Sequence, residues 1–465
     1  MKRVLIIAYY FPPIGGSGVQ RPTKFVKYLP EFGWQPYVIS TDRPYGDGAE
    51  GYDETLLADI PASVRVWRVP TPQPRPVYRL AQWLGWRSAA VEAYRRGVTP
   101  PPVAVAPTKQ RPPNLVARLR HAMLAPLYLI HNPPVDPALY WALRIVPLAR
   151  RIIEQEQIDV VFTTVPPWSA LITGAQLRHL TGRPWVADFR DPWTDNAFVY
   201  FPTTPRRWLD KHLERSLLRQ TDAVIAETPP NLAALVQKTR PNQRLFATIP
   251  NGWDREDFPD LASVRAGLPP SASADGRIVL LHPGSAYQGE PLPLLWGVER
   301  LAATGEVDLD RLRFHFVGAV HPMDRQTIER SPQGFRFHFD TQRISHDQAL
   351  RLMREAHVLL LLLRRKGPRV ASGKLFEYLV AGRPVLASGA VNGVAGQIVR
   401  RCGVGCVVEP DDIDGMAQML RSVITDYAHL AAKVYQPDWN EIERYERRLL
   451  TSRLAATFDQ LLTRP

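Results

Sequence analysis

An apolar run, Val4 to Ala8, follows the charged start of the chain and breaks at a Pro/Gly stretch; Val19, Phe25, Val26 and Leu29 then recur at helical spacing up to Gly33, and a second strand-like run spans Pro36 to Ser40. Short apolar runs alternating with helical periodicity predict parallel strands buried on both faces and joined by helices. The alternation returns at Ile158–Phe162, Trp185–Phe189, Ala223–Ala226 and Phe246–Ile249, so a doubly wound α/β domain is expected over residues 1–265. The Pro/Ser/Ala-rich stretch Gly267 to Gly276 reads as a linker. A second series of strands, Ile278–His282, Arg313–Val317, Val358–Leu363, Val385–Ala387 and Cys406–Val408, predicts another parallel-sheet domain over residues 275–435. Residues 436–465 include a long charged helix, expected from Trp439 to Leu462 and crossing back over both domains. Residues 70–137, rich in Pro, Arg and Trp, break the first series as an insertion, with amphipathic helical patterns at Val77–Arg96 and Leu115–Ile130.

Length supports the division, because 465 residues exceed what one core usually organises. With 45% hydrophobic and 22% charged residues the chain reads as globular. The start resembles a signal peptide only until Pro12-Pro13, and the longest aliphatic run, Val358 to Leu363, is far below the roughly 20 residues that span a bilayer. Cys402 and Cys406, the two cysteines, have no zinc-type Cys/His cluster around them and read as reduced cytosolic thiols. A cytoplasmic protein is expected. The net charge of +13 changes the picture once it is located: between Arg65 and Ala125 eleven Lys/Arg stand against one acid, Glu92, a local +10. That concentration points to an anionic partner, and Trp83 and Trp86 among the arginines favour a membrane surface on the inner face of the cell membrane over nucleic acid, for which no motif is present.

Two stretches carry candidate chemistry. After the first strand, Pro12-Pro13-Ile14-Gly15-Gly16-Ser17-Gly18 lets backbone approach a ligand, although Arg21 stands where a dinucleotide fingerprint needs its third glycine. In the second domain, Ser372-Gly373-Lys374-Leu375-Phe376-Glu377-Tyr378 begins with a residue able to cap a helix whose first amides suit a diphosphate. Glu377 lies one turn deeper, where a carboxylate accepts bonds from two ribose hydroxyls; its plainer reading is an exposed partner of Lys374. Pro368 and Leu375 exclude a P-loop.

The run from Lys374 to Leu379 with Gly382-Arg383-Pro384-Val385 resembles the donor-site helix of family 4 (group 1) glycosyltransferases. Ile249-Pro250-Asn251-Gly252-Trp253-Asp254, the first 40 residues, His282 to Tyr287, and Ser345 to Leu363 are similar to the same family. The resemblance implies a GT-B fold, two Rossmann-like domains facing a cleft. It further implies a retaining, metal-independent transferase without cofactor, moving sugar from a nucleotide-sugar donor to a glycan or lipid-linked acceptor, as in cell-surface polysaccharide biosynthesis. Ser372, Gly373 and Lys374 are placed by the diphosphate, Glu377 on the ribose, and Gly15, Gly16 and Gly284 near the donor. Arg369 replaces the acid that many relatives place eight residues before the ribose carboxylate, and Gly284 to Glu290 lacks the usual basic residue, leaving Arg364, Arg365 or Arg369 to supply positive charge.

On the acceptor side, Ala187-Asp188-Phe189-Arg190-Asp191-Pro192-Trp193 and Thr163 to Trp168 follow strands, at the edge where such sheets bind ligands. Asp191 is the candidate base for an acceptor hydroxyl, Trp193 or Trp168 a sugar platform; Arg190 and Asp191 as a structural ion pair is the alternative. His346 sits in a capping-box pattern, and no histidine commands a catalytic role. Other readings are a different GT-B enzyme, such as a sugar-nucleotide epimerase, and a non-catalytic membrane- or nucleic-acid-binding protein.

Overall fold

The computed structural model describes residues 1–44, 51–72, 135–196, 199, 201, 204–239, 244–266, 276–342, 344–363 and 367–463. They form two units, Met1–Ile249 with Thr451–Pro465 and Pro250–Leu450. The helical pieces expected at Val77–Arg96 and Leu115–Ile130, and nearly all of the Gly267–Gly276 linker, lie outside the described residues.

The first unit is built on seven parallel strands: β1 (Lys2–Ala8), β2 (Trp34–Ser40), β3 (Arg65–Arg68), β4 (Val160–Val165), β5 (Trp185–Phe189), β6 (Ala223–Ala226) and β7 (Leu245–Thr248), in the order β3-β2-β1-β4-β5-β6-β7. The order reverses between β1 and β4, so the chain leaves those two strands in opposite directions and opens a crevice at their C-terminal ends. Val4 to Ala8 are fully buried, as a strand covered on both faces requires. β3 escapes the sequence pattern because it is an edge strand with exposed ends. Two of the eleven cations counted above belong to it: Arg65 pairs with Glu156, and Arg68 donates to the Pro12 carbonyl at 2.7 Å. Nine basic residues remain between positions 73 and 134.

Arg21, which excludes a dinucleotide fingerprint, has a structural use. Its guanidinium donates to both carboxylate oxygens of Asp188, at 2.9 and 2.6 Å, with both side chains almost fully buried. The Thr164 hydroxyl donates to the same carboxylate at 2.8 Å, so the helix Ser17–Tyr28 is tied to the ends of β4 and β5 by one satisfied ionic group.

The second unit contains β8 (Ile278–Pro283), β9 (Leu312–Val317), β10 (Phe337–Asp340), β11 (Val358–Leu362), β12 (Val385–Ser388) and β13 (Gly405–Val408), parallel and ordered β10-β9-β8-β11-β12-β13. Its switch point lies between β8 and β11. The five residues of β11 show why the sheet is buried on both sides: Leu359 and Leu361 join one apolar cluster, Val358, Leu360 and Leu362 the other. β10, like β3, is an edge strand that the pattern misses.

Two expectations change here. Residues 250–266, read as the tail of the first domain, belong with the second: Trp253, Phe258 and Leu261 are part of its core. The long terminal helix is two helices, Trp439–Glu443 and Arg447–Thr463. It breaks because the backbone at Tyr445 and Arg447 bonds instead to Trp253, whose amide donates to Tyr445 O at 3.0 Å and whose carbonyl accepts from Arg447 N at 2.8 Å. Gly252 allows this approach, since a Cβ there would stand 2.1 Å from the Tyr445 carbonyl oxygen. Thr451–Pro465 then joins the first unit, where Phe458 packs edge-on against Trp34 and Phe162.

Candidate active site

The switch point of the second unit gathers most of the residues singled out for the donor. The helix Gly373–Tyr378 is fixed by Leu375, Phe376, Tyr378 and Leu379, all fully buried, which leaves Gly373, Lys374 and Glu377 on its open side. Ser372 occupies the N-cap position, but its hydroxyl makes no capping hydrogen bond, contrary to the expected cap. Space is open beside Gly373, where an added Cβ would meet nothing within 4 Å.

Lys374 does not turn to Glu377. Its Nζ lies 3.1 Å from Nε2 of His282, the fully buried residue near the end of β8. Burial lowers the Lys374 ammonium to about 8, an effect that Glu290 and Glu377 oppose by their charge. Burial, then the Lys374 charge, lowers His282 to about 3, so the imidazole is neutral at any working pH. Leu360 O in β11 accepts from His282 Nδ1 at 3.0 Å and from the Tyr378 hydroxyl at 3.2 Å, tying β8, β11 and the helix together. Gly284 has φ +102, and a Cβ there would stand 3.1 Å from Lys374 Nζ. The glycine's first use is therefore room for the lysine.

Glu377 is mostly buried and has His346 Nε2 at 3.8 Å; the same nitrogen lies 3.6 Å from Asp257. The capping box expected at Ser345 is present, with Gln348 N donating to Ser345 Oγ at 3.2 Å and Ser345 N to Gln348 Oε1 at 2.9 Å. That motif explains where the helix starts but gave no sign that the imidazole lies between two carboxylates. Arg369 is exposed, and Arg364 and Arg365 lie outside the described residues.

In the first unit the candidates separate into supports and free chemistry. Arg190 gives its guanidinium to the backbone carbonyls of Gly18, Val165 and Pro166, which holds the strand ends in place and corrects the reading of a simple ion pair with Asp191. Asp191, partly buried, is raised by burial to about 6, with Arg190 pulling it back down. A neighbour the sequence did not single out is Glu227, one residue past β6. It is 2% exposed; Oε1 accepts from Asn231 Nδ2 at 2.6 Å, and no hydrogen-bond partner for Oε2 is found among the described residues. Burial, then the charge of Asp191, raises its proton affinity well above the ordinary range.

Trp193 is fully buried, its ring stacked on Trp168 at 6.3 Å. It cannot face a sugar, and of the two indoles only Trp168 reaches solvent. Gly15 is also buried, with its amide donating to Gly51 O at 3.0 Å, whereas Gly16 is exposed at the start of the following helix.

Both units are doubly wound, the six strands of the second repeating the order of the first six of the first, and two such parallel-sheet units are the makeup of the GT-B fold. The Glycosyltransferase Family 4 profile matches residues 103–257 and the Glycosyl transferases group 1 profile residues 280–426. The chain belongs to the family 4, group 1 glycosyltransferases. Similar solved structures include a sucrose-phosphate synthase from Thermosynechococcus elongatus, with TM-score 0.61 and 15% identity over 99% of both chains. Anabaena HepE in complex with UDP and glucose is similar with TM-score 0.59 and 16% identity over 99% of this chain and 100% of that one. An α,α-trehalose-phosphate synthase from Burkholderia vietnamiensis is similar with TM-score 0.60 and 13% identity over 99% and 100%. No curated protein matches the sequence.

Proposed function

We propose that the chain is a retaining, metal-independent transferase that moves a sugar from a nucleotide-sugar donor to a glycan or lipid-linked acceptor in cell-surface polysaccharide biosynthesis. The observation that carries the donor half is the placement of Lys374, the open start at Gly373 and the Glu377 carboxylate on one side of one helix at a switch point. A cation suits a diphosphate and a carboxylate suits ribose hydroxyls. Likeness to a structure that holds UDP supports a nucleotide-linked donor. In the transfer, the acceptor oxygen bonds to the anomeric carbon on the same face from which the diphosphate oxygen departs, so that the configuration is kept. The diphosphate leaves with the electron pair, and Asp191 takes the hydroxyl proton. A thermal-shift panel of nucleoside diphosphates and nucleotide sugars, followed by mass analysis of products with and without oligosaccharide or polyprenyl-phosphate-linked acceptors, tests the reading. An epimerase would convert the donor without acceptor, and a binding protein would convert nothing.

Activity is expected to persist in excess chelator. The Asp412-Ile413-Asp414 pair after β13 has the spacing of a metal motif, yet Asp412 caps the next helix through Gly415 N at 2.8 Å and Asp414 pairs with Arg300 at 2.8 Å. Lys374 offers the charge a diphosphate needs instead. Turnover abolished by chelation and restored by magnesium or manganese would overturn this.

The nine basic residues between positions 73 and 134 favour attraction to an anionic membrane from the cytoplasmic side, at about 1 kcal/mol per residue near the surface. Among the described residues no helix is long and apolar enough to cross a membrane. Pelleting with phosphatidylglycerol vesicles is expected to fall steeply as salt shortens the screening length from about 10 Å at 0.1 M toward 3 Å at 1 M. Changing Arg79, Arg87, Arg95 and Arg96 to Ser should reduce it while leaving nucleotide binding intact. Equal pelleting with neutral vesicles would remove the membrane from the proposal.

A further inference from the structure

The contact between Lys374 and His282 fixes more than a distance. A carbonyl oxygen only accepts, so the 3.0 Å contact from His282 Nδ1 to Leu360 O places the ring proton on Nδ1. Nε2 then presents a lone pair, and Lys374 Nζ lies 3.1 Å from it. The carbonyl of Ser285 lies farther from Nε2, at 3.3 Å, than Lys374 Nζ does. The imidazole is wholly buried, and because an ammonium only donates, Lys374 at 3.1 Å calls for the lone pair on Nε2 and the proton on Nδ1. It cannot repel the ammonium by taking a proton of its own, because burial and the lysine hold it neutral.

The lysine side chain is directed by two further features. Gly284 has no side chain to occupy the position 3.1 Å from Nζ. Glu290, on the stretch after β8 and mostly buried, and Glu377, on the lysine's own helix, both act on the ammonium electrostatically and keep it charged. The residues from Gly284 to Glu290 carry no cation of their own, so Lys374 brings positive charge to the end of β8 from a different element.

We propose that His282 is a positioning residue for donor binding: as a fixed Nδ1–H tautomer it accepts one N–H of Lys374 and holds the ammonium at the end of β8, where it reads the terminal phosphate of a nucleoside diphosphate. The inference rests on the donor reading above and adds a mechanism to it. The groups that face the ammonium are His282 from β8, Glu290 from the stretch after β8 and Glu377 from its own helix. Of these, burial and the lysine's charge hold His282 neutral, and the lysine is lowered to about 8. Below pH 8 it is a cation, and as pH rises through about 8 it becomes neutral, so affinity for the diphosphate declines with rising pH in the free protein.

Two conservative variants separate aiming from structure. His282→Asn keeps a donor at the position of Nδ1 for Leu360 O but removes the acceptor at Nε2. His282→Gln places an amide oxygen where Nε2 stood and gives up the bond to Leu360. The probes are UDP, GDP, ADP and dTDP, with the monophosphate of whichever binds the wild-type protein. The readout is the ratio of monophosphate to diphosphate dissociation constants across pH 7 to 9.5. His282→Asn should lose about tenfold of that ratio, the loss expected for one charge-assisted bond, and Lys374→Met should lose at least as much together with the decline at high pH. His282→Gln should retain most of it, and thermal melting checks that each variant folds. An unchanged ratio and pH dependence in His282→Asn overturns the role given to His282. Failure of the wild-type protein to bind any of the four diphosphates overturns the donor reading itself, a distinct result.

Discussion

Asp191→Asn is expected to lower turnover about 10²- to 10⁴-fold, the range for loss of a positioned general base, while nucleotide affinity is unchanged. The candidate base is made by its surroundings. Arg190 is occupied by three carbonyls and only partly offsets the burial that raises Asp191 to about 6. Glu227 beside it is pushed well above the ordinary carboxylate range by burial and by the charge of Asp191. Wild-type kcat/KM should therefore fall as pH drops below about 6, where the base is protonated, and the variant should lack that limb. Stability should move the other way. The folded carboxyl binds its proton more tightly than the ordinary 3.8, so stability is lost as pH rises from 3.8 to about 6 and the loss is complete above that. Removing the charge should return up to about 3 kcal/mol at pH 8, on the scale of 1.36 kcal/mol per unit. A variant that melts lower yet turns over normally would make Asp191 a structural carboxylate.

The parts of this protein legible in its sequence are those where burial is complete. β5 and β6 match their expected limits because Trp185–Phe189 and Ala223–Ala226 are buried throughout and, Asp188 apart, apolar. β3 and β10 were invisible because an edge strand is half solvated: Arg65-Val66-Trp67-Arg68 reads as part of a basic stretch until its pairing to β2 is seen. The terminal helix reads as continuous because its break is imposed from Trp253, about 190 positions earlier.

The candidate site divides along the same line. Residues contiguous in sequence, from Ser372 to Glu377, were found by local pattern. Their partners were not, since His282, His346 and Glu290 reach them only through the β8–β11 switch point and the surrounding packing. Adjacent letters also mislead: Arg190 beside Asp191 suggests an ion pair, whereas the guanidinium has three carbonyls to satisfy. Trp193 beside them suggests a platform, yet it is a buried residue covered by Trp168. Glu227 had no motif at all; its signal was one acid directly after a short apolar strand, and only its burial and an Oε2 with no hydrogen-bond partner among the described residues distinguish it from a helix cap.

Glu377→Ala is expected to abolish most nucleotide affinity with the fold intact. The side chain lies on the open side of a helix whose anchors are Leu375, Phe376, Tyr378 and Leu379, so truncation leaves the core contacts in place. A carboxylate that accepts two ribose hydroxyls contributes on the order of 1.5–3 kcal/mol per charge-assisted bond, so its loss weakens binding about a hundredfold to ten-thousandfold. Glu377→Gln keeps one acceptor oxygen without the charge and should fall between. The sharpest measurement compares a ribonucleoside diphosphate with its 2′-deoxy analogue. The wild-type protein should prefer the ribonucleotide, because the deoxy sugar leaves one carboxylate oxygen unmatched. Glu377→Ala should bind both equally and weakly. His346, 3.8 Å from the carboxylate, makes a control: His346→Gln leaves both carboxylate oxygens available, so the ribose preference should survive there. Should Glu377→Ala retain the wild-type preference for ribose, the carboxylate does not contact the sugar and its assignment falls.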